Sequence, residues 1–246
     1  PLVTGVQTCA LPICYDAFGG NDEPIDTVAA QLRGLGQKEA FEPLRIRQVP
    51  GGNDYQRCEE AGTDLGQLLT KEKTIAAMKA LDGDLDKALG RLSGGLYVVT
   101  ARQGDDTDGE GSRSGAMVAS WVNQASFDPP GITVAVAKDR AIEALMQVND
   151  RFVLNILRED NHQELMRHFL KRFPPGADRF AGVATLEAAA KGGPVLGDAL
   201  AFLGCRVIQR LEGPDHWIIY AEVEEGNVSD TEASTAIHHR KVGNHY

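Results

Sequence analysis

The feature that most constrains the fold is a series of short β-strand patterns between residues 96 and 223. Tight turn signals separate several of them, as at 128–131 (DPPG) and 212–215 (EGPD). The predicted strands are 96–101, 116–122, 132–137, 152–157, 205–211 and 217–223, with a last short one at 237–240. Six or so strands with only short helices between them favour a closed antiparallel barrel over a parallel sheet. The predicted fold is therefore mainly β with helices.

Upstream of these strands the pattern differs. Apolar residues recur at helical spacing across 24–35, alternate with polar ones across 44–50, and return to helical spacing across 54–69. Residues 15–70 therefore predict helix, strand and helix, a piece of an α/β layer too short to form a core of its own.

Further helices are predicted on either side of the first strands. One covers 71–93, with Leu85 and Leu89 among its inward residues. A short one ends at Val148, with Asp139 predicted as its N-terminal cap. Another is predicted over 161–170.

The first fourteen residues, PLVTGVQTCALPIC, follow neither a helical nor a strand period. They lack the basic start of a signal peptide. Part of the segment resembles the translation of a sequencing-library adaptor, so we expect 1–14 to be a non-native leader. The alternative is a buried strand over 11–14 behind a ragged tail.

Charge and composition exclude several classes of protein. The formal net charge is -10 and no long basic run is present, which disfavours nucleic-acid binding. No apolar run approaches the roughly 18 residues needed to span a bilayer. The four cysteines form no C-x-x-C pair and no cluster has metal-ligand spacing, so no metal site is predicted. A reducing, cytoplasmic compartment fits this cysteine usage.

The segment 114–130, SGAMVASWVNQASFDPP, is the most informative about chemistry. Its small residues would let a flat ligand approach the backbone, and its serines, Asn123 and Gln124 supply neutral hydrogen-bonding groups. An isoalloxazine ring needs such a surface. The alternative is a strand with a polar outer face that ends in a turn.

Two further features could serve a nucleotide. Lys138 and Arg140 stand beside a predicted helix start, where cations and free N–H groups could hold a phosphate. The alternative for this pair is a solvated capping region. His216 follows the hairpin turn, could face a ligand cleft and can change protonation near neutral pH. The alternative for His216 is an exposed turn residue.

These segments resemble the flavin reductase-like family. The matching blocks are GGLYVVTA at 94–101, SWVNQASFDPPGITVAVAKDRAIEAL at 120–145, FVLNIL at 152–157 and FLGCRVIQRLEGPDHWIIYAEV at 202–223. The resemblance implies a split β-barrel that binds FMN, with FAD as the alternative flavin. It also implies hydride transfer from NADH or NADPH, in a homodimer or other homo-oligomer.

The resemblance also assigns expected roles to matching positions. The residues expected along the flavin ring and ribityl chain are Met117, Val118, Ala119 and Ser120. Those expected to close the pocket are Asn123, Ser126 and Phe127. Lys138 and Arg140 are expected to hold the phosphate. His216, the predicted catalytic residue, is expected near the nicotinamide or flavin face.

The upstream part resembles a second family. YDAFGGNDEPIDTVAAQLRGLG, FEPLRIRQVP and DYQRCEEAGTDLGQLL are similar to the C-terminal end of the flavodoxin-like domain of flavodiiron proteins. The order of the two parts resembles the long cyanobacterial type, in which electrons pass from NAD(P)H through flavins to a diiron centre that reduces oxygen. The implied division is a leader at 1–14, a flavodoxin-like end at 15–70 and a flavin reductase-like domain at 71–246.

Three functions stay open on the sequence. The leading hypothesis is an NAD(P)H-dependent, flavin reductase-type oxidoreductase module. The alternative is a flavin- or haem-binding split barrel without turnover, and the third is a redox-incompetent subunit that pairs with an active partner. Fold alone does not separate them.

Overall fold

A computed structural model of the chain describes residues 15–18, 23–37, 41–47, 49–79, 83–104, 111–186 and 190–241. The expected leader at 1–14, with the strand considered within it, lies outside these ranges.

The elements of the described residues follow in chain order. The strands are β1 (Tyr15–Phe18), β2 (Leu44–Arg47), β3 (Gly94–Gly95), β4 (Tyr97–Gln103), β5 (Arg113–Ala119), β6 (Val122–Phe127), β7 (Pro130–Ala137), β8 (Arg151–Ile156), β9 (Thr185–Leu186), β10 (Val195–Leu196), β11 (Ala201–Glu212), β12 (His216–Val228) and β13 (Ile237–His238). The helices are α1 (Glu23–Gly34), α2 (Gly52–Lys79), α3 (Asp84–Leu89) and α4 (His162–Leu170), with a 3-10 turn at Ala141–Leu145.

Seven strands form one antiparallel sheet in the order β5-β4-β8-β11-β12-β7-β6. The chain passes from β5, at one edge, to β6, at the other, through only Ser120 and Trp121. The sheet therefore curls until its edges meet. The amide of Ala135 donates to the carbonyl of Trp121 at 3.0 Å, which ties this link to β7. The antiparallel split barrel predicted from the sequence is confirmed.

The strand predicted over 116–122 is wrong in its bounds. β5 ends at Ala119, and the polar segment after Trp121 is a strand of its own, β6, paired with β7. β6 is an edge strand of the sheet, and three consecutive residues of its six, Asn123 to Ala125, are exposed. Such a strand does not need an apolar alternation, so its polar sequence gave no strand signal.

Two apolar clusters stabilise the barrel. The first fills its interior and includes Val99, Phe152 and Ile219, each fully buried. The second includes Leu157 of the segment after β8, together with Leu165 and Phe169 of α4. The helix α4 thus covers apolar surface that the sheet alone would expose.

The upstream segment contains the predicted helix, strand and helix. β2 pairs in parallel with β1, and Ile25 and Ala29 of α1 are buried. The break expected between a helix ending at 69 and another starting at 71 is wrong, because α2 continues to Lys79. The segment 67–79 contains no glycine or proline, so nothing interrupts its backbone hydrogen bonds. The predicted domain boundary at 70/71 falls inside this helix and stays a prediction.

Two further expectations about helices are wrong. Leu85 and Leu89 were expected to face inward, but they are 73% and 37% exposed. The short helix α3, to which both belong, contains no buried residue. Asp139 was expected to cap a helix. The 3-10 turn starts only at Ala141, after Arg140, and no side chain caps it. Asp139 instead belongs to the turn that follows β7.

A buried polar network joins the sheet to the segment around β10. Asn155, fully buried on β8, donates to the carbonyl of Val98 and to Thr100 Oγ1, both at 3.2 Å. Its Oδ1 accepts from the amide of Leu196 at 2.8 Å. Thr100 Oγ1 in turn donates to the carbonyl of Pro194 at 2.7 Å. Each of these groups would be costly to bury without its partner.

We therefore expect Asn155→Ala to lower the free energy of unfolding by about 2–4 kcal/mol, since a buried group left unpaired costs about 1–3 kcal/mol. Urea unfolding followed by circular dichroism measures this. The matched control is Asn123→Ala on the exposed edge strand, expected to change the value by less than about 0.5 kcal/mol. Equal losses in the two variants would contradict the network.

Candidate functional site

A cavity of about 450 Å³ lies against the outer side of the edge strand β5. Its other walls include the first half of α2, the 3-10 turn and the end of α4 with the residues that follow it, together with Leu96, Ala135 and Ala137 of β7, and His238 of β13. This volume is in the range of small-molecule binding sites.

The strand β5 builds one wall from alternating side chains. Gly115, Met117 and Ala119 are buried, whereas Ala116 and Val118 are half-buried. A Cβ on Gly115 would lie 3.2 Å from Ile142 of the 3-10 turn, so the absence of a side chain there lets this turn approach. The half-buried face of β5 is short and apolar, which leaves a flat surface for a ligand.

Two polar atoms at the cavity have no hydrogen-bond partner among the described residues. They are Oγ of Ser120, whose residue is 5% exposed, and Nε2 of His238. Burial, and after it the charge of Arg240 and the neighbouring His239, lowers the pKa of His238. Its ring is therefore neutral at pH 7. A buried group without a partner is costly unless something completes it, and a ligand in the cavity would do so.

Cations line the cavity as well. The basic side chains among its lining residues are Arg113, Arg140, Lys171, Arg172 and Arg179. Three of these arginines pair with carboxylates of α2. The nitrogen–oxygen distances are 3.1 Å from Arg113 to Glu59, 3.0 Å from Arg179 to Glu60 and 3.1 Å from Arg172 to Asp64. Burial raises the pKa of Glu59, and Arg113 opposes that rise.

The structure brings five of the predicted site residues to this cavity and leaves five elsewhere. Those that line it are Met117, Val118, Ala119, Ser120 and Arg140. Those that do not are Asn123, Ser126, Phe127, Lys138 and His216.

The first three of the latter group lie on the edge strand β6. Asn123 is exposed there, and Phe127 is 89% exposed. The hydroxyl of Ser126 is 3.0 Å from that of Tyr220 and also donates to the carbonyl of Pro129. Within this chain these side chains belong to a different surface from the cavity.

Lys138 and His216 also point elsewhere. Lys138 Nζ lies 2.7 Å from a carboxylate oxygen of Glu212, on the neighbouring hairpin. His216 Nδ1 lies 3.0 Å from Asp215, and its ring centroid is 5.0 Å from that of Trp121. His216 Nε2 is buried and has no partner among the described residues. Its predicted role near a nicotinamide stays a prediction.

Sequence reasoning missed the wall opposite β5. Gln56, Glu59 and Glu60 of α2 lie at helical spacing, but nothing local shows which surface they meet. His238 and Arg179 were also missed, because each reaches the cavity from a distant part of the chain.

The described residues form neither a membrane-spanning helix nor a metal-binding cluster. No helix there is both long and apolar enough to cross a membrane. No group of three or more His, Cys, Asp or Glu side chains among them could hold a metal ion.

The fold is that of a split barrel, and its cavity has the size of a small-molecule site. Residues 89–244 match the family model described as flavin reductase like domain, and the chain belongs to this family. The resemblance seen in the sequence is confirmed, and it places the chain among flavin oxidoreductases.

Relatives and solved structures agree with this assignment. The chain is 58% identical over 232 residues to diflavin flavoprotein A 1 of Synechocystis sp., and 60% identical over 232 residues to a diflavin flavoprotein of Nostoc sp.. Each match covers 94% of this chain but 39% of the relative. The NADH:FAD oxidoreductase of Streptomyces globisporus superimposes with a TM-score of 0.55 at 25% identity, over 63% of this chain and 86% of that one.

The residues present fit the flavin that the family implies. The short apolar face of β5 suits a flat ring, and the partnerless atoms of Ser120 and His238 suit its hydrogen-bonding edge. Arg140 lines the same cavity, and its nearest carboxylate, on Asp139, is 3.8 Å away. That guanidinium is suited to a phosphate.

A pair of substitutions on opposite faces of β5 tests this geometry. We expect Ala116→Leu to abolish flavin binding, because this half-buried residue lines the cavity and the added carbons reduce its space. Ala119→Leu overpacks the core and should cost about 1–3 kcal/mol of unfolding free energy. Flavin fluorescence quenching and urea unfolding measure the two effects. Undiminished flavin affinity in Ala116→Leu would show that the ligand lies elsewhere.

Proposed function

We propose that this chain is an FMN-binding oxidoreductase module that accepts hydride from NADH or NADPH. The observation that carries the proposal is the buried hydroxyl of Ser120, which lacks a partner at the end of the short apolar face of β5. Bound FMN would supply the redox chemistry, which no side chain of the cavity can perform.

The chain's own residues bind and orient in this proposal. The face of β5 around Ala116 and Val118 holds the ring flat, and Ser120 and neutral His238 hydrogen-bond its polar edge. Arg140 holds the phosphate. His216 contacts Trp121, the residue next to Ser120, and it remains our candidate for the nicotinamide side of the site.

The chain works in a longer protein in this proposal. It spans about two fifths of the diflavin flavoproteins it matches, and we propose that it passes electrons toward a diiron, oxygen-reducing partner domain. Residues 15–70 would be the end of a flavodoxin-like domain, and 71–246 the flavin reductase-like domain. A homodimer fits the 89% exposure of Phe127 on β6. A cytoplasmic location fits the free Cys58 and Cys205.

Anaerobic reduction tests the function directly. The chain is loaded with FMN and mixed with NADH or NADPH in a stopped-flow spectrometer. We expect the visible absorbance of the oxidised flavin to bleach with at least one of them. Tight FMN binding without bleaching would instead support a flavin-binding module without turnover. Absence of FMN binding would refute both.

A second experiment tests the phosphate assignment. We expect Arg140→Ala to weaken FMN binding by about 1.5–3 kcal/mol, the range for a hydrogen bond to a charged group. Riboflavin, which has no phosphate, should bind this variant as well as it binds the original protein. The paired variant is Lys138→Ala, for which we expect a smaller loss of FMN because Lys138 is held by Glu212. Equal losses of FMN and riboflavin in Arg140→Ala would remove the phosphate role.

A further inference from the structure

The helix α2 closes one side of the cavity, yet it lies entirely outside the part of the chain that matches the flavin reductase family. The family model begins at residue 89, whereas α2 ends at Lys79. The wall that α2 supplies is therefore an addition to the family's domain.

Polar contacts hold α2 against the barrel. Gln56 Oε1 accepts from the amide of Ser114 on β5 at 2.7 Å. Glu60 accepts from Arg179 and, at 2.7 Å, from the amide of Gly176. Gln67 donates to the carbonyl of Asp139 at 3.1 Å. With the ion pairs of Glu59 and Asp64, these contacts run along the first half of the helix.

Apolar packing contributes little to this contact. None of the described side chains of α2 belongs to either apolar cluster, and Ala61 is the only buried apolar residue among them. The side chain of Glu60 is only 4% exposed. Burying such a pair costs desolvation that its attraction barely repays, so α2 can leave without disrupting a core.

The proposed reaction requires space that the docked helix occupies. About 450 Å³ lies in the lower part of the range for one small-molecule ligand. Hydride transfer needs a nicotinamide stacked on the flavin at about 3–3.5 Å, so two nucleotides must share the site. Moving one wall would make room for both, and the wall with the least apolar packing is α2.

The carboxylates of α2 also occupy the cations that a second nucleotide would need. Arg113, Arg172 and Arg179 stand along the cavity, and each is paired with one acidic residue of α2. The diphosphate of a nicotinamide nucleotide offers the same chemistry, anionic oxygens that an arginine can bind in pairs.

We propose that α2 is an acidic lid that competes with the diphosphate of the nicotinamide nucleotide for Arg113, Arg172 and Arg179. The nucleotide displaces Glu59, Glu60 and Asp64 when it enters, and the lid returns when the oxidised nucleotide leaves. This inference rests on the proposed function, since it names the second ligand of the same cavity.

The test uses ADP-ribose, which carries the diphosphate without the nicotinamide. It is titrated by calorimetry into the full chain, with and without saturating FMN. We expect Glu60→Gln to bind ADP-ribose more tightly by about fivefold or more, within the usual range of coupling between sites. Arg179→Gln should bind it more weakly. Glu224→Gln is the matched control, because Glu224 pairs with Arg151 and Arg206 away from the cavity, and its affinity should not change.

Hydrogen exchange follows the lid itself. ADP-ribose should speed exchange over residues 52–67, and FMN alone should not. Asp64→Asn, which removes the partner of the exposed Arg172, should speed exchange of α2 without any ligand.

The lid is refuted if ADP-ribose does not bind, binds Glu60→Gln no more tightly than the original protein, or protects α2 from exchange. Opening by FMN alone would assign the arginines to the flavin phosphate and also refute it. If FMN is bound and reduced but one of these outcomes is observed, only the lid is contradicted and the proposed function stands. Absence of FMN binding is measured in a separate titration and contradicts the proposed function.

Discussion

The two-residue link between β5 and β6 is the constraint on which the rest of the structure depends. Three peptide steps from Ala119 to Val122 reach at most about 11 Å. The strands they join nevertheless stand at opposite ends of a seven-stranded sheet. The sheet can satisfy both facts only by curling on itself, which the natural twist of β-strands favours. The apolar side chains that now face inward become the first cluster, with Val134 and Ile219 fully buried.

The curled sheet leaves β5 as an edge, paired with β4 alone among the described strands. An edge strand has free backbone groups that must be covered. Here the amide of Ser114 finds Gln56, and the 3-10 turn packs over Gly115. Helices cover an edge less closely than another strand would. The space left between them and β5 is the cavity, so the site follows from how the barrel closes.

The limits of sequence reasoning follow the same division. Most strands could be predicted, because alternation is a local property of one segment. Met117 to Ser120 were expected at the ligand from the family resemblance, since their small neighbours alone also fit an ordinary strand. The wall from α2 could not, since Gln56 meets Ser114 across 58 positions and helical spacing does not say what a face will contact. Lys138 and Arg140 look equivalent in sequence. Only the hairpin, which brings Glu212 to Lys138, separates them.

Net charge is a poor guide to what this cavity binds. The chain carries a formal charge of -10, which suggests repulsion of phosphates. Charges separated by more than a Debye length of about 8 Å are largely screened at physiological salt, so the groups that line the cavity decide. Arg140 lines the cavity without a carboxylate of α2, whereas Arg113 and Arg179 are paired with acidic residues of that helix. Among the described residues, Arg140 and Lys171 are therefore the cations of the cavity that α2 does not pair with. In the lid proposed above, a second anionic ligand would gain those arginines by displacing the carboxylates of α2.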